Sequence, residues 1–102
     1  MINTTFHRMI DSSKPVLLDF YADWCGPSQL LRPVLDKLKS EIGSDLKIVK
    51  INIESHGDLV DRLDIQSIPT LMLFHKGKLK WRASGIESIP KLKRLIRSLS
   101  TK

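Results

Sequence analysis

The chain has 102 residues, 41 % hydrophobic and 27 % charged, a balance that fits one folded domain over residues 1–102 and argues against disorder. Its 17 Lys and Arg against 11 Asp and Glu give a formal net charge of +6, which permits weak attraction to polyanions. No apolar run nears the roughly 18 residues that a bilayer span requires, and one cysteine excludes both a disulfide framework and a Cys-rich zinc site.

The first residues carry no charged leader followed by an apolar stretch, so a cytoplasmic location is expected. The basic residues are dispersed along the sequence, with Lys76, Lys78, Lys80 and Arg82 on one segment and Lys91, Lys93, Arg94 and Arg97 on another. Few aromatics interleave with them, as a base-stacking surface would need. A solvated basic face is the preferred reading, with neither nucleic acid nor membrane as a partner.

In chain order, Asn3 and Thr4 are good helix caps, and Phe6, Met9 and Ile10 follow at helical spacing, predicting a short helix that exits at Ser12–Pro15. Val16 to Tyr21 is nearly all apolar, as in a central strand covered on both faces; Asp19 interrupts it. From Pro27 the period becomes helical, with Leu31, Val34, Leu35, Leu38 and Ile42 in one stripe, a kink expected at Pro33, and Gly43 as the stop. Leu46 to Ile53 is a β-branched strand, His56 to Leu63 a short helix, and Ile65 to Thr70 a loop into the strand Leu71 to Phe74. His75-Lys76-Gly77-Lys78 reads as a hairpin turn into Leu79 to Ala83. Ser88 and Pro90 open a last helix with the stripe Ile89, Leu92, Leu95, Ile96 and Leu99.

This order predicts an α/β protein with a mixed central sheet and helices on both faces. Cys25 then falls between a central strand and the helix that follows it, at the strand's carboxyl end, where open α/β sheets place their sites. A thiol just before a helix meets the positive end of the helix dipole, which favours the reactive thiolate. An inert buried thiol is the commoner fate of a lone cysteine, but Trp24 and the Gly26-Pro27 turn beside Cys25 favour a reactive one. His7, His56 and His75 are far apart and show no metal-ligand spacing.

The residues D-F-Y-A-D-W-C-G-P around the thiol, V-K-I-N-I-E in the next strand, S-I-P-T before the following one, and the later K-G and S-G resemble the thioredoxin family along essentially the whole chain. The resemblance implies the thioredoxin fold with four to five strands, the family's first edge strand being truncated or absent. It also implies a protein-disulfide oxidoreductase that needs no cofactor, acts on disulfide-containing proteins, and in a dithiol form is recharged by a thioredoxin reductase. Cys25 matches the attacking nucleophile and Ser28 the resolving position. Asp19 matches the family's buried acid and Lys50 its partner, which help to deprotonate the resolving thiol. A buried, unpaired carboxyl should titrate well above an ordinary aspartate. Trp24, Gly26 and Pro27 form the active-site turn, and Pro69 matches a cis-proline facing the thiol. Ile53, Ser67, Ile68, Gly85 and Ile86 line the implied substrate groove, with core packing an equal alternative for Ile53.

Ser28 departs from the family pattern, because a hydroxyl cannot close a disulfide with Cys25. The preferred reading is an engineered Cys-to-Ser replacement in a dithiol enzyme that then stalls as a mixed disulfide. The chain is expected to be monomeric, with a Cys25–Cys25 disulfide dimer as its oxidised form. Alternatives are a natural monothiol thioredoxin or isomerase, a glutathione-dependent iron–sulfur carrier, and a non-enzymatic subunit that binds through its Trp24–Ile68 surface.

Overall fold

The computed structural model describes residues 4–100. Its elements are α1 (Thr4–Ile10), β1 (Val16–Tyr21), α2 (Gly26–Ile42), a 3₁₀ turn at Gly43–Asp45, β2 (Lys47–Asn52), α3 (Gly57–Arg62), β3 (Thr70–His75), β4 (Lys78–Ser84) and α4 (Ile89–Ser100). Asn3, the other expected cap of the first helix, lies outside the described residues. The strands form one sheet in the order β2-β1-β3-β4, so the described residues contribute four strands.

β1 sits inside the sheet because its sequence lets both faces be covered. It pairs in parallel with β2, Asp19 opposite Lys50, and antiparallel with β3, Asp19 opposite Leu71. A parallel pair needs a long crossover, and α2 supplies it. Side chains alternate between the faces of a strand. Val16, Leu18 and Phe20 pack with Phe6, Ile10, Ile51 and Leu59 beneath α1 and α3. Leu17 packs with Leu31, Leu35, Leu38, Leu92 and Ile96 of α2 and α4. Each fully buried side chain of this kind contributes about 1.5–3 kcal/mol relative to exposure, so the two clusters clamp β1 from both sides.

The ends of the elements follow local chemistry. Ser88 Oγ accepts the Lys91 N–H at 3.3 Å and so caps α4. α2 continues through Pro33 as one helix instead of breaking there. Pro33 and Gln29 are both exposed, so the Gln29 carbonyl that loses its helical donor faces water. Gly43, at φ 76°, closes α2 with its N–H on the Lys39 carbonyl. The β3–β4 turn has Lys76 at φ 54° and Gly77 at φ 79°, the pair of positive values that a two-residue hairpin loop requires.

Candidate active site

The chain leaves β1 at Tyr21 and turns through Ala22–Cys25, where the Cys25 N–H bonds the Ala22 carbonyl at 3.2 Å. Cys25 keeps extended backbone angles, φ −93° and ψ 116°, as the residue capping α2. Its carbonyl accepts the Gln29 N–H at 3.1 Å. Gly26 and Pro27 form the first turn, where proline's missing N–H costs nothing. The thiol is therefore held at the amino end of a 17-residue helix, next to N–H groups that have no intrahelical acceptor. Only 8 % of Cys25 is exposed. Its Sγ donates to the Ile68 carbonyl at 3.7 Å, and the Ile68–Pro69 bond that follows is cis.

Polar groups on α2 fix the turn from outside. Gln29 Nε2 donates to the Asp23 carbonyl at 2.5 Å, and Arg32 Nη2 pairs with Asp23 Oδ1 at 2.9 Å. The same guanidinium lies 5.3 Å from the centre of the Tyr21 ring. Sequence reading missed Gln29 and Arg32 as positioning residues, because their partner Asp23 lies 6 and 9 residues away and only the fold joins them.

Ser28 begins the inward stripe Ser28, Leu31, Leu35 and Leu38 of α2. It is 2 % exposed, and its Oγ accepts the Ala22 N–H at 3.4 Å. Asp19 has the same parity along β1 as Leu17, which directs it to the face that α2 covers. Asp19 is buried, and neither carboxyl oxygen has a hydrogen-bond partner among the described residues. Burial pushes its pKa up from 3.8 to about 6, while the positive charges of Lys50 and Arg32 pull it partly back.

Lys50 is Asp19's neighbour across the β1–β2 ladder. Its ammonium lies 3.7 Å from Asp36 Oδ1, an exposed carboxylate on α2. Lys50 thus acts on Asp19 through its charge and makes no bond to it.

The groove residues divide. The Gly85 N–H bonds the Pro69 carbonyl at 2.8 Å, and Gly85 adopts φ 89°, a backbone state that glycine reaches without strain. Thr70, which the sequence did not flag, donates its Oγ1 to the Ser67 carbonyl at 2.6 Å and so holds the segment before the thiol's contact. Trp24 is 68 % exposed and Ile86 47 %, while Ser67 is exposed and Ile68 half-buried. Ile53 packs against the cluster beneath α1 and α3. Hydrogen bonds join Cys25 to Ile68 and Pro69 to Gly85; Lys50 turns to α2. Among the described residues, no group of His, Cys, Asp and Glu is arranged to hold a metal ion.

Comparison with known proteins agrees with this geometry. The thioredoxin family model matches residues 1–98. Thioredoxin 1 of Chlorobaculum tepidum is 46 % identical over 74 residues, covering 72 % of this chain and 73 % of its own. Among solved structures, a mutant thioredoxin from Halobacterium salinarum superposes with a TM-score of 0.83 at 34 % identity, over 95 % of this chain and 84 % of its own. The oxidised form of mitochondrial thioredoxin 3 from Saccharomyces cerevisiae superposes with a TM-score of 0.82 at 28 % identity, over 93 % and 88 % of the two chains. With a thiol capping the helix that follows a central strand, a cis-proline beside it and a family model spanning nearly the whole sequence, the chain belongs to the thioredoxin family.

Proposed function

We propose that this chain attacks disulfide bonds of proteins through Cys25 and stops at the mixed disulfide. The thiolate sulfur of Cys25 bonds to one sulfur of the substrate disulfide, the substrate S–S bond breaks, and the second substrate sulfur leaves as a thiolate that takes up a proton. Release of the first sulfur requires another thiolate to attack the Cys25–substrate bond. The observation that carries the reading is the occupant of the resolving position. Ser28 is buried in the first turn of α2, three residues after the thiol, with its hydroxyl against the Ala22 N–H, and the sequence holds no second cysteine. Turnover then depends on an external thiol.

The same surroundings support Ser28 as a replacement for a cysteine. By their sequence motifs Asp19, Lys50, Pro27 and Pro69 match the residues of a dithiol thioredoxin, and the raised pKa of Asp19 suits a proton acceptor for a resolving thiol that this chain lacks. A cysteine codon at position 28 of the source gene agrees with replacement; a serine codon makes the protein a natural monothiol thioredoxin. Trp24, Ile68 and Ile86 form the apolar rim against which an extended substrate segment would lie.

The test is intact-mass analysis after mixing the reduced protein with a disulfide-bonded protein substrate. The expected product is one substrate chain added per protein chain, removed by dithiothreitol and absent in Cys25→Ser. Rapid release of reduced substrate with no persistent adduct contradicts the proposal.

A further inference from the structure

We propose that the cleft between α2 and α4 is a second docking site for the protein substrate whose disulfide Cys25 attacks, a role that rests on that reaction. It takes an uncharged, apolar side chain about four residues from the substrate's reactive cysteine. The cleft, of about 530 Å³, is lined by Val34, Lys37 and Glu41 of α2 and by residues 87–90 and Lys93 at the start of α4. Its floor is firm. Val34 and Ile89 are the half-buried margin of the cluster in which Leu31 and Leu35 of α2 pack with Leu92 and Ile96 of α4.

Charge in the cleft selects its occupant. Each of the four charged side chains that line it already has a partner: Glu41 pairs with Lys37 at 4.0 Å and with Lys93, and Glu87 pairs with Lys91 at 3.4 Å. Two lysines and two glutamates cancel there, on a chain whose formal net charge is +6. A charged side chain would lose hydration on entering and meet no unpaired opposite charge. An apolar one gains from burial against Val34, Ile89 and Pro90.

The way from the thiol to the cleft is apolar as well. Among the described residues, the large apolar side chains left exposed are Trp24, Leu30, Leu79 and Ile86. Leu79 belongs to β4. Trp24 adjoins the thiol in sequence, and Leu30 and Ile86 lead from it toward the cleft. Leu30, 64 % exposed, stands one helical turn before Val34, so the two are neighbours on one face of α2. Ile86 joins Gly85, whose N–H bonds the Pro69 carbonyl, to Glu87 in the cleft wall. The loop before β3 instead exposes Gln66 and Ser67, so a substrate segment finds its apolar path along α2. Val34 follows Cys25 by nine residues, about 13 Å along a helix axis. An extended segment covers that length in about four residues.

The experiment measures the rate at which Cys25 forms mixed disulfides with disulfide-linked dimers of a synthetic peptide. The peptide has a central cysteine and carries leucine, serine or glutamate about four residues to either side. Attack on either sulfur of such a dimer gives the same adduct and one free peptide thiol. Hydroxyethyl disulfide, too small to reach the cleft, supplies the reference rate for each protein. The leucine peptide is expected to react about fivefold or more faster than the serine peptide, and the glutamate peptide no faster than the serine one. Leu30→Asn, at an exposed position, and Val34→Thr, which keeps the side chain's shape, should each lower the leucine-to-serine rate ratio severalfold. Equal rates for leucine and serine, a glutamate peptide as fast as the leucine one, or an undiminished ratio in both variants overturns the docking site and leaves the reaction of Cys25 standing. No adduct with any of these disulfides overturns that reaction and the docking site with it. Sedimentation of the reduced protein as a dimer that Leu30→Asn dissociates assigns the cleft to a second copy of the chain and also overturns the proposal.

Discussion

Asp19 and Lys50 face each other across the β1–β2 ladder, yet the Lys50 ammonium reaches Asp36 on the surface, and both Asp19 oxygens are left without a partner. The carboxyl is therefore buried with only distant positive charge to offset its lost hydration, and its pKa rises to about 6. This residue is a cost to the fold at neutral pH.

The cost has a defined pH window. Between the unfolded value of 3.8 and the folded value of about 6, the folded chain holds a proton that the unfolded chain has released. Stability is accordingly greatest below the unfolded value and falls as pH rises through the folded one, by about 3 kcal/mol in total. Asp19→Asn should remove this slope and be more stable than the parent by about 2–3 kcal/mol near pH 8. Urea denaturation at several pH values checks it; parallel stability curves for the two proteins contradict it.

Thr70 is 1 % exposed and holds the Ser67 carbonyl at 2.6 Å. Thr70→Val keeps the shape and removes the donor, which should cost about 1 kcal/mol and loosen the segment whose Ile68 carbonyl meets Cys25. The expected outcome is a lower urea midpoint together with slower mixed-disulfide formation. An unchanged rate would show that the Ser67–Thr70 bond serves stability alone.

Ser28→Cys supplies a second sulfur one helical turn from the first, within reach of a disulfide after small adjustment. The Ser28 bond to Ala22 is long, at 3.4 Å, so the reduced variant should match the parent in stability within about 1 kcal/mol. With excess disulfide substrate and dithiothreitol as reductant, substrate reduction should rise by more than about tenfold. No gain in turnover would mean that Ser28 is not what stops the reaction.

The fold was legible wherever one face or both faces of an element are apolar. Val16–Tyr21 has the same boundaries in the structure as in the sequence, because its apolar residues are buried on both faces of the sheet and the strand runs on through the single polar interruption at Asp19. Edges moved by a residue or two elsewhere, as at Thr70–His75, where a threonine and a histidine are buried through their own hydrogen bonds. Cys25 and Ser28 were legible from a turn and a helix start adjacent in sequence. The direction of the Lys50 side chain was not, since ladder pairing places a backbone and leaves a long side chain free to find Asp36. Ile53 could not be divided between groove and core by its type alone.

The Cys25 thiol attacks once and has no second cysteine in the chain to release it. The most direct measurement is the amount of substrate thiol liberated when reduced protein meets an excess of disulfide-bonded protein substrate, with no other thiol present. The expected release levels off at one thiol per Cys25, with the protein itself held as the adduct. Continued release beyond one equivalent, or none at all, would contradict it.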